Sequence, residues 1–424
     1  MNMKKKTVAV LFGGRSPEYD VSLKSAYSII NAIDRDKYDV TLIGITRQGK
    51  WYEYNGDAEG LINDRWHLNL ELLQPAIISP SRGGGLLVFD DFDLYLKGNG
   101  HIYLGANGML ERENRRQQLI EGGSPLIVGK KPPGDSENTM SAYEREMNGF
   151  WHSVVRHGSA MHKHIDAAFP VLHGRYGEDG TVQGVCELAG IPVVGSGSAA
   201  SALCMDKDRA HKLVSQAGIR VPKAVCFEQM PSAAEISAAA ADLGFPLFVK
   251  PVKAGSSFGI TMVEDESELA GAVALALEFD DAVIIEESID GFETGCAVVG
   301  NMELMTGRID EIELAHGFFD YEEKYTLKTS KIHMPARIDE AAERMLQETA
   351  KEIYRILGCR GYARVDIFYS AKNEIIFNEA NTIPGFTSHS RFPNMMKGVG
   401  IEYPELVDML IELGIANAAS IDPE

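Results

Sequence analysis

The chain begins its ordered pattern with "TVAVLFGG" (7–14), then "SLKSAYSIINAI" (22–33), then "DVTLIGI" (39–45). Short continuous apolar runs suit buried strands, and an apolar residue every three to four positions suits a helix lying against them. Strand, helix, strand in that order is βαβ punctuation, which constrains the fold more than any other feature of the chain. The alternation returns in "AAFPVLHG", the helix-like "TVQGVCELAG" and the strand "IPVVG", between residues 167 and 195. An α/β domain with a largely parallel, doubly wound sheet is the expectation for residues 1–200.

Between these blocks, at roughly 104–164, the chain is rich in Gly, Pro and charge ("ERENRRQQ", "GKKPPGDSENT") and lacks apolar periodicity, which reads as an insertion. A helix is expected near 201–217. "FPLFVKPVKAGSSFGITMV" then reads as two strands around a Gly/Ser turn, "ELAGAVALALEF" as a helix and "AVIIEESI" as a strand. These form a compact α+β unit over 201–288. A second α+β unit over 289–424 should hold strands near 295–315, a loop at 317–331 and a helix near 339–357. The strand pair 362–369 and 374–380 joins through the turn "SAKN", and a closing helix follows near 404–413.

With 424 residues there is material for two or three domains. The net charge of −20 argues against nucleic-acid or anionic-membrane partners, but leaves room for an anionic small molecule gripped by local cations. "MNMKKKTVAVLFGG" starts basic, yet its apolar run is shorter than a signal peptide needs, and no stretch reaches the ~20 apolar residues of a membrane span. The five cysteines (186, 204, 226, 296, 359) show no paired spacing, so neither a disulfide framework nor a zinc site is expected. A cytoplasmic, reducing location follows as an expectation.

Four stretches carry chemistry. In "IIFNEANTIPGFTSHSR" (375–391), Glu379 and Asn381 lie two apart on a strand and so share a face, while Ile376 turns to a core. Asp366 in "YARVDIFY", on the partner strand, would complete a set of hard oxygen donors suited to Mg²⁺ that also holds phosphates. Lys250 ends an apolar strand before "AGSSFG", where glycines admit backbone N–H groups to phosphate oxygens and Ser256 and Ser257 add hydroxyls. Lys207 is a second candidate cation. "AVIIEESIDGFE" sets Glu286, Glu287 and Glu293 among apolar neighbours, where an adenine could stack. "GSGSAA" (195–200) matches a dinucleotide fingerprint, but the acidic residue expected ~20 positions on is missing, Glu228 coming some thirty residues later.

Together these blocks resemble the D-alanine–D-alanine ligases of the ATP-grasp superfamily. The resemblance is carried by "LFGGRSPEYDVSLKSA", "FPVLHGRYGEDGTVQGVCELAGIPVVG", "SALCMDKDRAHKLVSQAGI", "FVKPVKAGSSFGI", "DYEEKY", "ARVDIFY" and "NEANTIPGFTSHSR", in family order. Within the family, the D-alanine–D-serine ligases of vancomycin resistance look most similar. The resemblance implies an ATP-grasp fold and a D-Ala-D-X dipeptide made through a D-alanyl phosphate. It assigns two Mg²⁺ (or Mn²⁺) to Asp366, Glu379 and Asn381, and ATP to Lys207, Lys250, Ser257, Glu286, Glu287, Ile289 and Glu293. Glu18, with Ser256 and Tyr325, would bind the first D-alanine near His173. Arg364 would stand beside the tetrahedral intermediate, Lys324 and Ser390 would grip the acceptor's carboxylate, and Gly385 to Arg391 would line the amino-acid sites. Loop 317–331 would close over them.

Arg391 follows "SHS", where D-alanine-specific relatives usually carry an apolar residue, so D-Ser is the expected acceptor over D-Ala. The alternative for Arg391 is pairing with a carboxylate such as Glu322 or Glu323. The family also suggests a homodimer. A different ATP-grasp carboxylate–amine ligase would have no reason to keep "GGRSPEYDVSL" or "EEKY", and a non-catalytic nucleotide-binding protein would be expected to lack a metal ligand or phosphate lysine.

Overall fold

The computed structural model describes residues 4–80, 83, 85–89, 160–313 and 331–421. Strand β1 (Lys6–Gly13), the helix Tyr19–Ala32 and strand β2 (Tyr38–Ile45) form the expected unit, with β1 parallel to β2 along its whole length. Beyond β2 the chain continues as an antiparallel meander, β3 (Trp51–Tyr54), β4 (Leu73–Ile78), β5 (Leu86–Phe89) and β6 (Ala160–Lys163). It then returns as β7 (Ala167–Pro170), parallel to β1 on its other side. The sheet order is β6-β5-β4-β3-β2-β1-β7, so parallel pairing is confined to β2-β1-β7. Strands of four residues such as "WYEY" and "LLVF" offer too few alternating positions to register as a period of two.

The second sheet contains β8 (Ala224–Phe227), β9 (Leu247–Pro251), β10 (Thr261–Val263) and β11 (Val283–Glu287), in the order β10-β9-β11-β8 and antiparallel throughout. Helices Ala233–Leu243 and Glu266–Ala276 cover one face, burying Leu247, Val249, Val273 and Ile285 between them. A capping box of Ser232 and Glu235 starts the first of these helices. The third sheet runs β15 (Lys331–His333), β14 (Asp310–Glu313), β12 (Gly291–Val299), β16 (Tyr362–Ser370), β17 (Ile375–Asn381), with β13 (Met305–Thr306) also on β12. Helix Glu340–Ile356 packs Leu346, Ala350 and Ile353 against it.

The helix expected over 201–217 is two helices, Ser198–Met205 and Lys207–Gln216. Asp206 breaks them by adopting extended backbone, and its carboxylate caps the second by accepting from the Arg209 amide. The closing helix extends over Tyr403–Ile421, and its Leu406, Val407, Leu410 and Ile411 join one apolar cluster with Val8, Val10 and Phe12 of β1. The N-terminal and C-terminal parts therefore share a core. Among the described residues no helix is long and apolar enough to cross a membrane.

Residues 160–163, expected to end the insertion, instead form β6, antiparallel to β5 with Phe89 opposite Ala160. Opposed residues of antiparallel strands lie about 5 Å apart, so a short connection can join the two without disturbing the sheet. Replacing residues 110–158 with a short Gly-Ser linker should leave ATP-dependent phosphate release within about threefold of the parent, an effect of under about 1 kcal/mol. A coupled phosphate assay beside a thermal melt checks this; a folded but inactive product would place the segment in the site or a required interface.

Candidate active site

Backbone register sets one row of the third sheet. On β12, Gly295 pairs with Asp310 of β14 on one side and with Asp366 of β16 on the other, and Asp366 pairs with Glu379 of β17. Three carboxylates thus line up across four strands with a glycine among them. Two positions along, on the same face, Arg364 stands opposite Asn381. Asp366 is 1% exposed, and it accepts from Arg364 Nε and Nη2, both at 2.7 Å, and from Asn381 Nδ2 at 2.8 Å. A buried carboxylate is tolerable only with such partners.

Over the glycine lies Arg391. Its guanidinium donates in a fork to Asp310, Nε to Oδ2 and Nη2 to Oδ1, each at 2.8 Å, and Nη1 reaches Glu293 at 3.3 Å. Nη2 also stands 3.6 Å from Asp366. A Cβ on Gly295 would fall 2.5 Å from that Nη2 and 2.7 Å from Asp310 Oδ1, so only glycine leaves room for the fork. Arg391 therefore does pair with carboxylates, but with Asp310 and Glu293; Glu322 and Glu323 lie outside the described residues, as do Lys324, Tyr325 and the rest of loop 317–331 apart from Lys331.

Between the second and third sheets opens a cavity of about 480 Å³. Phe248, Ile260, Ile289, Phe292, Ile312 and Phe368 provide apolar walls. Lys207, Lys250, Ser257, Glu286, Glu287, Glu293 and Glu379 also line it, so the residues anticipated for a nucleotide do converge. Size and lining suit a planar base with a polar tail. Lys250 donates to Glu286 at 2.6 Å, while Lys207 donates to Ala254 O at 2.8 Å and stands 3.7 Å from Glu379. Burial pushes the Glu286 carboxyl up, but the positive charge beside it, Lys250 foremost, outweighs that and holds the group below its usual range. The loop after Lys250 is tight, with Ser256 at φ 51° and Ser257 at φ 59°, a left-handed conformation that non-glycine residues seldom adopt. Glu311 and Glu313 of β14 and Arg337, which follows β15, line the cavity too, and no motif marked them.

A second recess gathers around Glu18, which is 3% exposed. Gly174 and Gly255 pack directly on its carboxylate: a Cβ would come within 2.1 Å of Oε2 at the first and 2.7 Å of Oε1 at the second. The turn bearing Ser256 is thereby brought to Glu18, as the motifs implied. Nearby, His173 donates from Nδ1 to Ile383 O at 2.9 Å, so its Nε2 is the acceptor facing Ser25 Oγ at 3.3 Å. Burial depresses His173 to about 4, and the ring is neutral at pH 7. Glu178, which the motif reading did not single out, accepts from the Gly174 and Ile383 amides at 2.8 and 3.2 Å. Burial and the nearby Glu18 charge push it up to about 8. Ser390 closes the loop that begins at Gly385, its Oγ accepting from the Thr387 amide at 2.9 Å.

Among the described residues no three His, Cys, Asp or Glu side chains are arranged to hold a metal by themselves. Two carboxylates and one amide, Asp366, Glu379 and Asn381, are too few for a complete shell. They fit a hard cation whose remaining oxygens come from phosphates and water, which is how Mg²⁺ is usually bound.

Two outcomes follow from this geometry. Glu379→Gln should fold normally and lose phosphate release by about 100-fold or more, roughly 3 kcal/mol of transition-state stabilisation; unchanged turnover at saturating Mg²⁺ removes Glu379 from the site. For His173, the folded state takes up its proton only near pH 4, whereas an unfolded histidine does so near 6.5, so the unfolded chain binds more protons between these values. Its contribution is complete above about pH 6.5 and is lost as pH falls toward 4, by roughly 3 kcal/mol. The difference in urea-unfolding free energy between the parent and His173→Gln should therefore grow as pH rises from 4 to 6.5, the opposing titration of Glu178 being common to both proteins.

Family models described as D-ala D-ala ligase N-terminus and D-ala D-ala ligase C-terminus match residues 7–196 and 213–412. The vancomycin C-type resistance protein VanC1 of Enterococcus gallinarum is 38% identical over 409 residues, 96% of this chain and 98% of that protein. A D-alanine–D-alanine ligase of Oceanobacillus iheyensis is 34% identical over 413 residues, 97% of this chain and 95% of the relative. Among solved structures, the VanG D-Ala:D-Ser ligase from Enterococcus faecalis has a TM-score of 0.76 at 47% identity, covering 97% of this chain and all of that one. The chain belongs to the D-alanine–D-alanine ligase family and is an ATP-dependent ligase of the ATP-grasp fold.

Proposed function

We propose that the enzyme joins D-alanine to a second D-amino acid for peptidoglycan synthesis in the cytoplasm, with D-serine as the favoured acceptor. The observation that carries the ligase chemistry is the row Asp310, Gly295, Asp366, Glu379 beside a cavity edged by Lys207 and Lys250. In this reading an oxygen of the first D-alanine's carboxylate bonds to the γ-phosphorus of ATP, and the bond from that phosphorus to the β-phosphate oxygen breaks, leaving ADP. The amine of the second amino acid then bonds to the acyl carbon, phosphate leaves, and the amine releases its proton to solvent.

Two Mg²⁺, for which Mn²⁺ substitutes, would be held by Asp366, Glu379 and Asn381 and would neutralise the transferring phosphates. The protein's own groups do the remaining work. Glu18, with Ser256 and Tyr325, holds the first ammonium; the neighbouring Glu178, pushed up to about 8, and His173, pushed down to about 4, are both largely neutral at pH 7 and leave Glu18 as the charge that meets it. Arg364, fixed by Asp366, stands ready for the developing oxyanion. Lys324 and Ser390 take the second carboxylate. A homodimer is the assembly in this reading.

Support for D-serine comes from the 47% identity to a D-Ala:D-Ser ligase and from Arg391, a rigid donor where an apolar wall would favour a methyl group. The ordinary D-alanine acceptor is the second reading, supported by the several relatives named D-alanine–D-alanine ligase. Arg391→Leu alone strands the buried Asp310 charge, so the informative variant is Arg391→Leu with Asp310→Asn. In competition between D-Ala and D-Ser, the parent should favour D-Ser by about tenfold or more, and the paired variant should shift toward D-Ala. Equal preference in both proteins overturns the acceptor assignment while leaving the family untouched.

A further inference from the structure

His211 has no part in the site as described so far, yet it is 4% exposed and touches both halves of it. The pairing of β16 with β17 runs Asp366 to Glu379 and then Ile367 to Phe377, which leaves Asn378 as the extra residue of a β-bulge. A bulged residue has no ladder partner opposite it. Here its carbonyl accepts from His211 Nε2 at 2.7 Å, and the imidazole edge rests on Phe377 with ring centres 5.6 Å apart. The other nitrogen, Nδ1, faces Glu286 Oε1 at 3.7 Å, and both atoms are buried without a hydrogen-bond partner. Lys207, four residues earlier on the same helix, stands 3.7 Å from Glu379. One helical face thus meets both the bulge and the glutamate beside it.

We propose that His211 is a positioning residue that ties the nucleotide-side carboxylate Glu286 to the bulge aiming Glu379. The proposal rests on the reading of the cavity as the ATP site. A β-bulge re-aims the side chains beside it, so a donor that fixes the bulged carbonyl fixes the direction of Glu379 and, two residues on, Asn381. On its other side the ring backs Glu286, which in turn orients Lys250. Nucleotide and metal binding are then coupled through one imidazole, because the same ring sets the position of a group in each.

Calorimetric titration of ADP, with and without Mg²⁺, tests this directly. His211→Phe keeps the ring on Phe377 but drops both polar contacts; His211→Gln keeps an N–H for the Asn378 carbonyl. In the parent, Mg²⁺ should strengthen ADP binding. In His211→Phe that strengthening should fall by about tenfold, more than metal-free ADP affinity falls, with KM for ATP rising and KM for D-Ala within about twofold. His211→Gln should recover part of the loss. If the Phe variant fails to fold, a Gln variant about threefold weaker than the parent only in the presence of Mg²⁺ still supports the proposal, since it retains one of the two contacts. Equal losses with and without Mg²⁺, or no loss, overturn the coupling while the parent's ADP binding keeps the nucleotide site. A parent that binds no ADP overturns both.

Discussion

The site is organised around a charge that has no access to water. Asp366 lies inside a sheet, and its carboxylate is held by the Arg364 fork and the Asn381 amide, with Arg391 within reach. Each partner brings its own requirement. Arg391 is itself buried and depends on Asp310, and their fork depends on Gly295 having no side chain. The result is an alternating lattice of carboxylates and guanidiniums whose members are individually costly and jointly stable, because removing one strands another. Such a lattice is rigid, which suits the phosphate transfer proposed above, since displacing a charge by about 1 Å weakens its action on a transition state.

A second constraint joins the domains. The Ile383 peptide is held from both sides by the N-terminal part, its carbonyl by His173 and its amide by Glu178. The loop that follows, ending at Ser390, is therefore attached to the recess around Glu18 as well as to the strand bearing Glu379. Behind it, Tyr362 and Phe386 pack edge-on against Phe169 of β7, so the attachment is backed by apolar contact as well as hydrogen bonds. The Gly/Ser turn at 255–257 is built differently: it is half-exposed, carries two strained residues, and is anchored at its base by Lys207 on the Ala254 carbonyl.

What could be read from the sequence was local in origin. The apolar runs of β1 and β2 and the helix between them declare themselves because each is long and periodic. The hairpin of β16 and β17 followed from two alternating runs around "SAKN", with Asn373 adopting the left-handed conformation such turns need. Parity alone put Glu379 and Asn381 on one face and sent Ile376, now fully buried, to the core. The short strands β3, β5 and β6 carried no such signal, and their antiparallel pairing arose from contacts beyond any local window.

The tertiary structure decided which partners those residues meet. Arg391 and Asp310 are separated by 81 residues, His211 and Asn378 by 167, and His173 and Ile383 by 210. No period or motif links such pairs; they exist because buried charges and orphaned carbonyls must find partners once the sheets stack. Thus residue types and spacing determined that oxygen donors, lysines and a Gly/Ser turn were present. Burial decided that Arg391 would be locked on Asp310, that His173 would be neutral, and that His211 would stand between Glu286 and the bulge.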